Sequence, residues 1–359
     1  MLFQGTEDFP ESRQLSAYIE DVGGYLNAWT WKEMTFYYNV LPAGKVERGP
    51  RLLGQMLRKP LFKEENVKVE MKNVVREIKQ KYDDNQNYLV TLMEKIVYGG
   101  HPLGRAGLGT EKAAKKFKPA DFKRFMKKHY RPDNFIFLAA GNFKIGEIKE
   151  LFEKYFPERA AEGKTALKLP ELSCPPAAKE RVIYQETKLC HIGIGALICG
   201  ANGEYQWPLT LFRAMIGQGM SSPLFQEVRD KRGLAYSVSA HCEFWSAAGD
   251  FFIYIGTDPA RKDEAIKVSL DVIHQSKNSE ELLSQAKDKL LGRLALIYDN
   301  PMNILEAAAA QLGKKGKIFS FEELERKIKS VNISQVNEAV EKYLAKDKLN
   351  ILSITPKRK

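Results

Sequence analysis

The feature that most constrains the fold is an internal repeat spaced by about 215 residues. Three pairs of segments show it: 64–82 with 280–298, 85–98 with 300–312, and 117–140 with 331–355. The same polar marker ends the first segment of each half, as Tyr82-Asp83-Asp84-Asn85 and Tyr298-Asp299-Asn300-Pro301. Since all three pairs hold one offset, the pattern predicts a tandem pair of related domains and not a solenoid of short repeats.

Local patterns place helices and strands in both halves, which predicts the α+β class. Tyr25–Thr30 and Thr35–Leu41 alternate as paired strands around a turn. Long amphipathic helices are predicted at 63–83 and 88–98, a further helix at Asp121–His129, and a buried strand at Phe135–Ala140.

The domain organisation follows from a break between the halves. Residues 158–179 are rich in Ala, Gly, Lys and Pro and lack periodicity, which indicates a linker. We therefore predict one domain at 1–157 and a second at 180–359. Two such domains usually enclose a cleft between them.

Composition excludes several classes of protein. The net charge is +11, but the lysines are scattered over helix faces and no nucleic-acid-binding module is visible. No apolar run approaches the ~20 residues of a membrane helix, so a soluble chain without membrane contact is expected. Four cysteines occur without a Cys-x-x-Cys pair: Cys174, Cys190, Cys199 and Cys242. Reduced thiols in a reducing compartment are expected, and the cytoplasm is the predicted location.

Two carboxylates stand out on the helix at 63–83. Glu70 and Glu77 are seven residues apart, so they share one face at the border of an apolar stripe. At the repeat offset their counterparts are Ala286 and Arg293, so only one half carries this pair. The pattern alone is more typical of two solvated carboxylates than of a site.

Two further stretches admit a functional interpretation beside an ordinary one. Gly23–Thr30, with Asn27 and Ala28 at its centre, suits either an edge strand that pairs with a peptide or a plain hairpin. Ser221–Tyr236 predicts a helix with Pro223 in its first turn, an end at Gly233 and a strand thereafter. Arg229 and Tyr236 would then bind a carbonyl or carboxylate, or be a surface cation and a core aromatic.

Taken in order, these stretches and His101-Pro102-Leu103-Gly104 resemble the insulinase/pitrilysin zinc metallopeptidases, most closely the processing-peptidase branch, over essentially the whole chain. The resemblance implies two similar α+β domains closing like a clam around an unfolded peptide. It also implies zinc bound by two histidines of a His-x-x-Glu-His helix and by a glutamate about 76 residues later. By this resemblance Glu77 is the metal ligand and Glu70 a supporting catalytic carboxylate. Asn27, Ala28, Arg229 and Tyr236 would bind the substrate.

The chain departs from the family pattern at one point. No His-x-x-Glu-His occurs, and none of the five histidines has another four residues away. In the family, a segment like Met1–Thr6 directly follows the motif, and 76 residues precede Glu77 here. We therefore expect a first domain that is incomplete at its N-terminus and a chain that binds no catalytic zinc by itself.

Three hypotheses about function remain open at this point. The chain is an N-terminally incomplete zinc endopeptidase for unfolded peptides, inactive as given. Alternatively, it is a non-catalytic peptide-binding subunit that completes a zinc-bearing homologue. In either case the expected partners are unfolded peptides and a homologous chain, in a homodimer or a heterodimer. The third hypothesis is a structural scaffold or a basic binder of polyanions.

Overall fold

The computed structural model describes residues 1–157, 172 and 178–357. Within these residues the chain forms two compact units. The first comprises Met1–Lys79, 107–157 and Ile304–Ala309, and the second comprises Gln80–Ala106, Leu172, 178–303 and 310–357. The predicted linker at 158–179 lies almost entirely outside the described residues, so the domain boundaries at 157 and 180 stay a prediction.

The first unit combines helices with one β-hairpin. Its helices and strands are α1 (Ser12–Glu20), β1 (Tyr25–Thr30), β2 (Thr35–Val40), α2 (Arg48–Arg58), most of α3 (Glu64–Asp83), and, later in the chain, α5 (Glu111–Ala114), α6 (Pro119–His129) and α7 (Ile145–Tyr155). The register pairs Asn27 with Tyr38 in antiparallel fashion, which confirms the predicted hairpin. Leu15, Ile19 and Leu52 are fully buried between the helices and the hairpin, because each lies on the apolar face of its helix.

The second unit is built on a five-stranded sheet in the order β3-β7-β4-β6-β5. Its strands are β3 (Glu180–Gln185), β4 (Cys190–Cys199), β5 (Ala235–Phe244), β6 (Ala248–Thr257) and β7 (Asn350–Pro356). Its helices are α4 (Asn85–Tyr98), α8 (Gln206–Gly217), α9 (Lys262–Ser276), α10 (Glu280–Tyr298), α12 (Phe321–Ser330) and α13 (Ile333–Tyr343), with both ends of α11 (Pro301–Lys315). Only the β3–β7 pair is parallel.

Both faces of this sheet are covered, which explains the nearly continuous apolar sequence of β4. One face packs on α8, α9 and α13, with Phe212 and Phe251 in its core. The other face packs on α4, which contributes Leu89 and Met93. Thus a helix from the first half of the sequence belongs to the second compact unit.

The predicted repeat is visible as repeated elements. At an offset of about 215 residues, hairpin β1–β2 corresponds to β5–β6, α2 to α9, α3 to α10, α4 to α11 and α6 to α13. The fold is therefore α+β with two related halves. None of the described helices has the length and apolar character needed to cross a membrane.

One predicted element is wrong. Residues 135–140 form no strand, and Ile136 is 60% exposed. Their counterpart β7 pairs only with β3 and β4. Among the described residues, no strand pairs with this extended segment. Apolar character alone does not make a strand when no neighbouring backbone can pair with it.

Candidate functional site

Helix α3 holds both predicted carboxylates of the first unit. Buried Val67 and Ile78 fix its orientation, and Glu70 lies between them with its side chain 26% exposed. The side-chain amide of Gln4 donates a hydrogen bond of 3.3 Å to Glu70 Oε2, and the amino group of Met1 is 3.6 Å from Oε1. Glu77 is exposed and has no hydrogen-bond or ion-pair partner among the described residues. Its role as a metal ligand stays a prediction.

The described residues do not form a complete zinc site. A catalytic zinc needs three protein ligands, and the family resemblance assigns one of them to Glu77. Four of the five histidines have other contacts: His101 accepts from Leu103 N, His129 stacks on Phe125, His191 bonds Tyr254 and His241 bonds Ser239. In the described part of the chain, no three His, Cys, Asp or Glu side chains come together as metal ligands.

Strand β1 has one open edge among the described residues. The amide of Trp31 donates to Met34 O, so the alternation of an antiparallel pair directs the amides of Leu26, Ala28 and Thr30 away from β2. Consistent with this, the Ala28 amide donates instead to Asn27 Oδ1 at 2.8 Å. The two residues predicted to bind substrate thus lie on an unpaired strand edge, with one amide satisfied by a neighbouring side chain.

One face of the same hairpin is aromatic, a feature that the sequence reasoning missed. The ring of Trp29 lies 4.3 Å from that of Trp31 and 4.8 Å from that of Phe36, and Tyr25 packs edge-on against Tyr38 at 6.3 Å. Asn27 points to this face, since its cross-strand partner is Tyr38. The alternation of aromatic residues at 25, 29 and 31 was the available signal.

Arg229 stands on a short π-helix, Phe225–Asp230, in the second unit. Its guanidinium lies 5.0 Å from the centre of the Phe225 ring and is exposed. The neighbouring carboxylate, Glu227, is bound by Lys231 and Arg232, and their hydrogen bonds lower its pKa. Glu227 is therefore engaged by other cations, and among the described residues no carboxylate pairs with Arg229.

The end of this helix follows the prediction. The helical turn begins at Pro223, and Gly233 adopts φ +57°. Gly233 N donates to Arg229 O at 3.0 Å and Leu234 N to Val228 O at 2.8 Å, which closes the helix in the manner that favours glycine.

Tyr236 lies three residues after Gly233, at a β-bulge. Ala235 pairs with Thr257 and Ser237 with Gly256, so Tyr236 is the extra residue between them. Its side chain is 61% exposed. Bulges and π-helices both re-aim side chains and are frequent at functional sites. Arg229 and Tyr236 thus both stand on irregular backbone, although no hydrogen bond or cation–ring contact joins them among the described residues.

Two family models match the chain. The model described as "Insulinase (Peptidase family M16)" matches residues 1–111, and the model described as "Peptidase M16 inactive domain" matches residues 116–290. The chain belongs to the insulinase family. Within this family it is 28% identical over 351 residues to an uncharacterized zinc protease of Bacillus subtilis, covering 97% of this chain and 84% of that protein.

Solved structures of other bacterial proteins share the fold. A protease from Helicobacter pylori superposes with a TM-score of 0.89 at 18% identity, covering 99% of this chain and 87% of that chain. A peptidase M16 inactive domain from Pseudomonas fluorescens superposes with a TM-score of 0.89 at 21% identity, covering 100% and 86%.

Proposed function

We propose that this insulinase-family chain binds unfolded peptides in extended form and does not hydrolyse them by itself. The observation that carries the proposal is the open edge of β1, where the Ala28 amide is directed away from the hairpin. An extended peptide that added to this edge would satisfy the outward amides of alternate residues. Its alternate side chains would lie on the aromatic face beside Asn27.

Arg229 and Tyr236 supply the second set of proposed contacts. A guanidinium and a phenol together offer several donors to a peptide carbonyl or to a terminal carboxylate. Both side chains are exposed, and the described residues leave Arg229 without a competing carboxylate. Since binding by these groups needs no metal, peptide affinity is independent of zinc.

Zinc belongs to the activity of complete family members, and relatives are named zinc proteases. When bound with an open position, zinc lowers the pKa of a coordinated water toward neutrality. In this chain Glu77 is the proposed third ligand, and Glu70, already hydrogen-bonded by Gln4, is the proposed supporting carboxylate. Residues 1–359 contain no His-x-x-Glu-His, so the two imidazole ligands of such a site would have to come from elsewhere.

The alternative function is that of a non-catalytic subunit that pairs with a zinc-bearing homologue. It is favoured by one observation: the chain combines an exposed Arg229 and Tyr236 with a sequence that contains no His-x-x-Glu-His. Mixing the chain with a zinc-bearing homologue would then give a stable heterodimer with higher peptidase activity than the homologue alone. Separate elution of the two chains on gel filtration would exclude this alternative.

Peptide binding is tested by fluorescence anisotropy with a labelled unfolded peptide. Arg229→Ala and Tyr236→Phe are expected to weaken binding by about fivefold or more, as loss of one charge-assisted hydrogen bond does. Lys231→Ala is the matched control, because Lys231 is exposed at the end of the same π-helix but pairs with Glu227. Equal affinities for the wild-type chain and both variants would favour the scaffold hypothesis.

A further inference from the structure

A group of lysines surrounds the junction between α11 and α12 in the second unit. Lys315 ends α11 and is half-buried, with Nζ 5.0 Å from the Trp207 ring centre and 5.3 Å from the Phe319 ring centre. Its only hydrogen-bond acceptor among the described residues is Gln206 Oε1, at 3.0 Å. Because this acceptor is a neutral amide, the ammonium charge of Lys315 has no counter-ion in the described part of the chain.

Two further ammonium groups approach the same buried Phe319 ring. Lys317 Nζ is 4.5 Å and Lys327 Nζ 5.0 Å from its centre. Three cations therefore share one ring, and Lys314 lies next to Lys315 in sequence. We call Lys314, Lys315, Lys317 and Lys327 the lysine cluster.

Among the described residues, the carboxylates on the neighbouring elements bind groups other than Lys315, Lys317 and Lys327. Glu243 of β5 pairs with Lys314 at 3.2 Å. At the start of α12, Glu323 accepts from Ser320 N and Glu322 accepts from Ser320 Oγ, so both are held at the helix cap. The cluster thus keeps an excess of positive charge around Lys315.

This environment disfavours the protonated form of one amine. Burial against Trp207 and Phe319 is the larger cause, followed by the charges of Lys327, Lys314 and Lys317, and together they lower the pKa of Lys315 to about 8. At pH 7.5 roughly a quarter of such amines are neutral, against about 0.1% for a lysine of ordinary pKa ~10.4. A lysine next to other cations and partly desolvated is an activated nucleophile.

We propose that Lys315 is a site of acylation by anionic acyl donors of the acyl-phosphate class. The neutral Nζ attacks the acyl carbon, an N–C bond forms, the bond from that carbon to the phosphate oxygen breaks, and phosphate leaves with the bonding pair. The proton lost from nitrogen passes to solvent. Lys317 and Lys327 attract the phosphate group, and acylation removes one of the mutually repelling charges.

The test uses the 359-residue chain and acetyl phosphate, with site-resolved mass spectrometry after digestion at glutamate. At pH 7.5 we expect Lys315 to be acetylated about tenfold faster than Lys317, because burial and the neighbouring ammonium charges favour the neutral, nucleophilic form of Lys315. Its rate should level off above pH 8. Equal rates at both lysines, or a Lys315 rate still rising at pH 10, would overturn the proposal.

Two variants test whether the lysine cluster, and not solvent exposure alone, makes Lys315 reactive. Lys327→Met removes one neighbouring cation and should slow Lys315 acetylation severalfold at pH 7.5. Lys342→Met is the matched control, since Lys342 also lies on aromatic rings, Tyr205 and Tyr343, but is not part of the lysine cluster. An equal slowing in both variants would contradict the role of the cluster. None of these results depends on peptide binding.

Discussion

Met93 of α4 occupies the space above Gly195 of β4. A Cβ added at Gly195 would lie 2.8 Å from both Cγ and Sδ of Met93 and 3.3 Å from the carbonyl oxygen of Phe251. Gly193 lies two residues earlier on the same face, and a Cβ added there would lie 2.8 Å from Cε2 of Phe252. The helix can therefore approach the sheet only because β4 has no side chains at these two positions.

The first prediction concerns this packing. Gly195→Val should destabilise the protein by about 1–3 kcal/mol, because extra methyl groups overpack the interface. Met93→Ala in the same chain should relieve part of that cost, giving a favourable coupling in a double-mutant cycle measured by urea unfolding. Gly292→Ala is the control: it lies in α10 with nothing within 4 Å, and alanine should stabilise that helix slightly. If the changes in unfolding free energy of Gly195→Val and Met93→Ala simply add in the double variant, the contact between these two residues is contradicted.

The second prediction concerns alkaline pH. Tyr98 Oη donates to Asp250 Oδ2 at 2.5 Å, and burial, followed by the Asp250 charge, raises the pKa of Tyr98. Above pH ~10 the unfolded chain loses the Tyr98 proton while the folded chain keeps it, so stability falls as pH rises. Tyr98→Phe should cost about 1–3 kcal/mol at pH 7 and flatten this alkaline loss. Urea unfolding midpoints at pH 7, 9 and 10.5 measure both effects. If stability falls as steeply with pH in the variant as in the wild-type chain, the role of Tyr98 is refuted.

The third prediction tests the open edge of β1. Ala28→Pro removes an outward amide that makes no bond to β2, and proline is tolerated at such edge positions. Peptide affinity should fall about fivefold or more while the unfolding midpoint shifts little. Trp29→Pro is the contrasting variant, since the Trp29 amide faces β2 and its loss should unfold the hairpin. Unchanged peptide affinity in a folded Ala28→Pro chain would exclude strand addition at β1.

The fourth prediction concerns metal. The 359-residue chain dialysed against zinc should retain well under one zinc per chain by elemental analysis, because one carboxylate is a weak ligand set. EDTA should leave peptide affinity unchanged, and Glu77→Gln should not alter either result. One tightly held zinc per chain that is lost in Glu77→Gln would show that Glu77 acts within a complete site.

Local signals in the sequence predicted the elements that depend on local chemistry. The β1–β2 hairpin, α3 and the helix end at Gly233 follow from alternation, amphipathic spacing and the φ that glycine permits. The family and the α+β fold also followed from the motifs. The sequence also predicted that Glu77 lies on α3, Arg229 on the helix that ends at Gly233, and Tyr236 just past that end.

Features that depend on distant partners were not predicted. Tyr236 forms a bulge because the register between β5 and β6 shifts by one residue there. The amino-acid composition of a strand does not indicate such a shift. The segment 135–140 has the apolar sequence of a strand, but no described strand pairs with it. The allocation of α4 to the second unit depends on glycines about 100 residues away in β4. Each outcome is set by long-range geometry that periodicity does not encode.

The location of α4 limits how this protein can be dissected. A nick within 158–179 would leave Leu89 and Met93 on one fragment and the strand surface that they cover on the other. Neither fragment could then shield its apolar residues from water unless the two reassociate. Limited proteolysis in this stretch should therefore yield a nicked complex that stays together until denaturant is added.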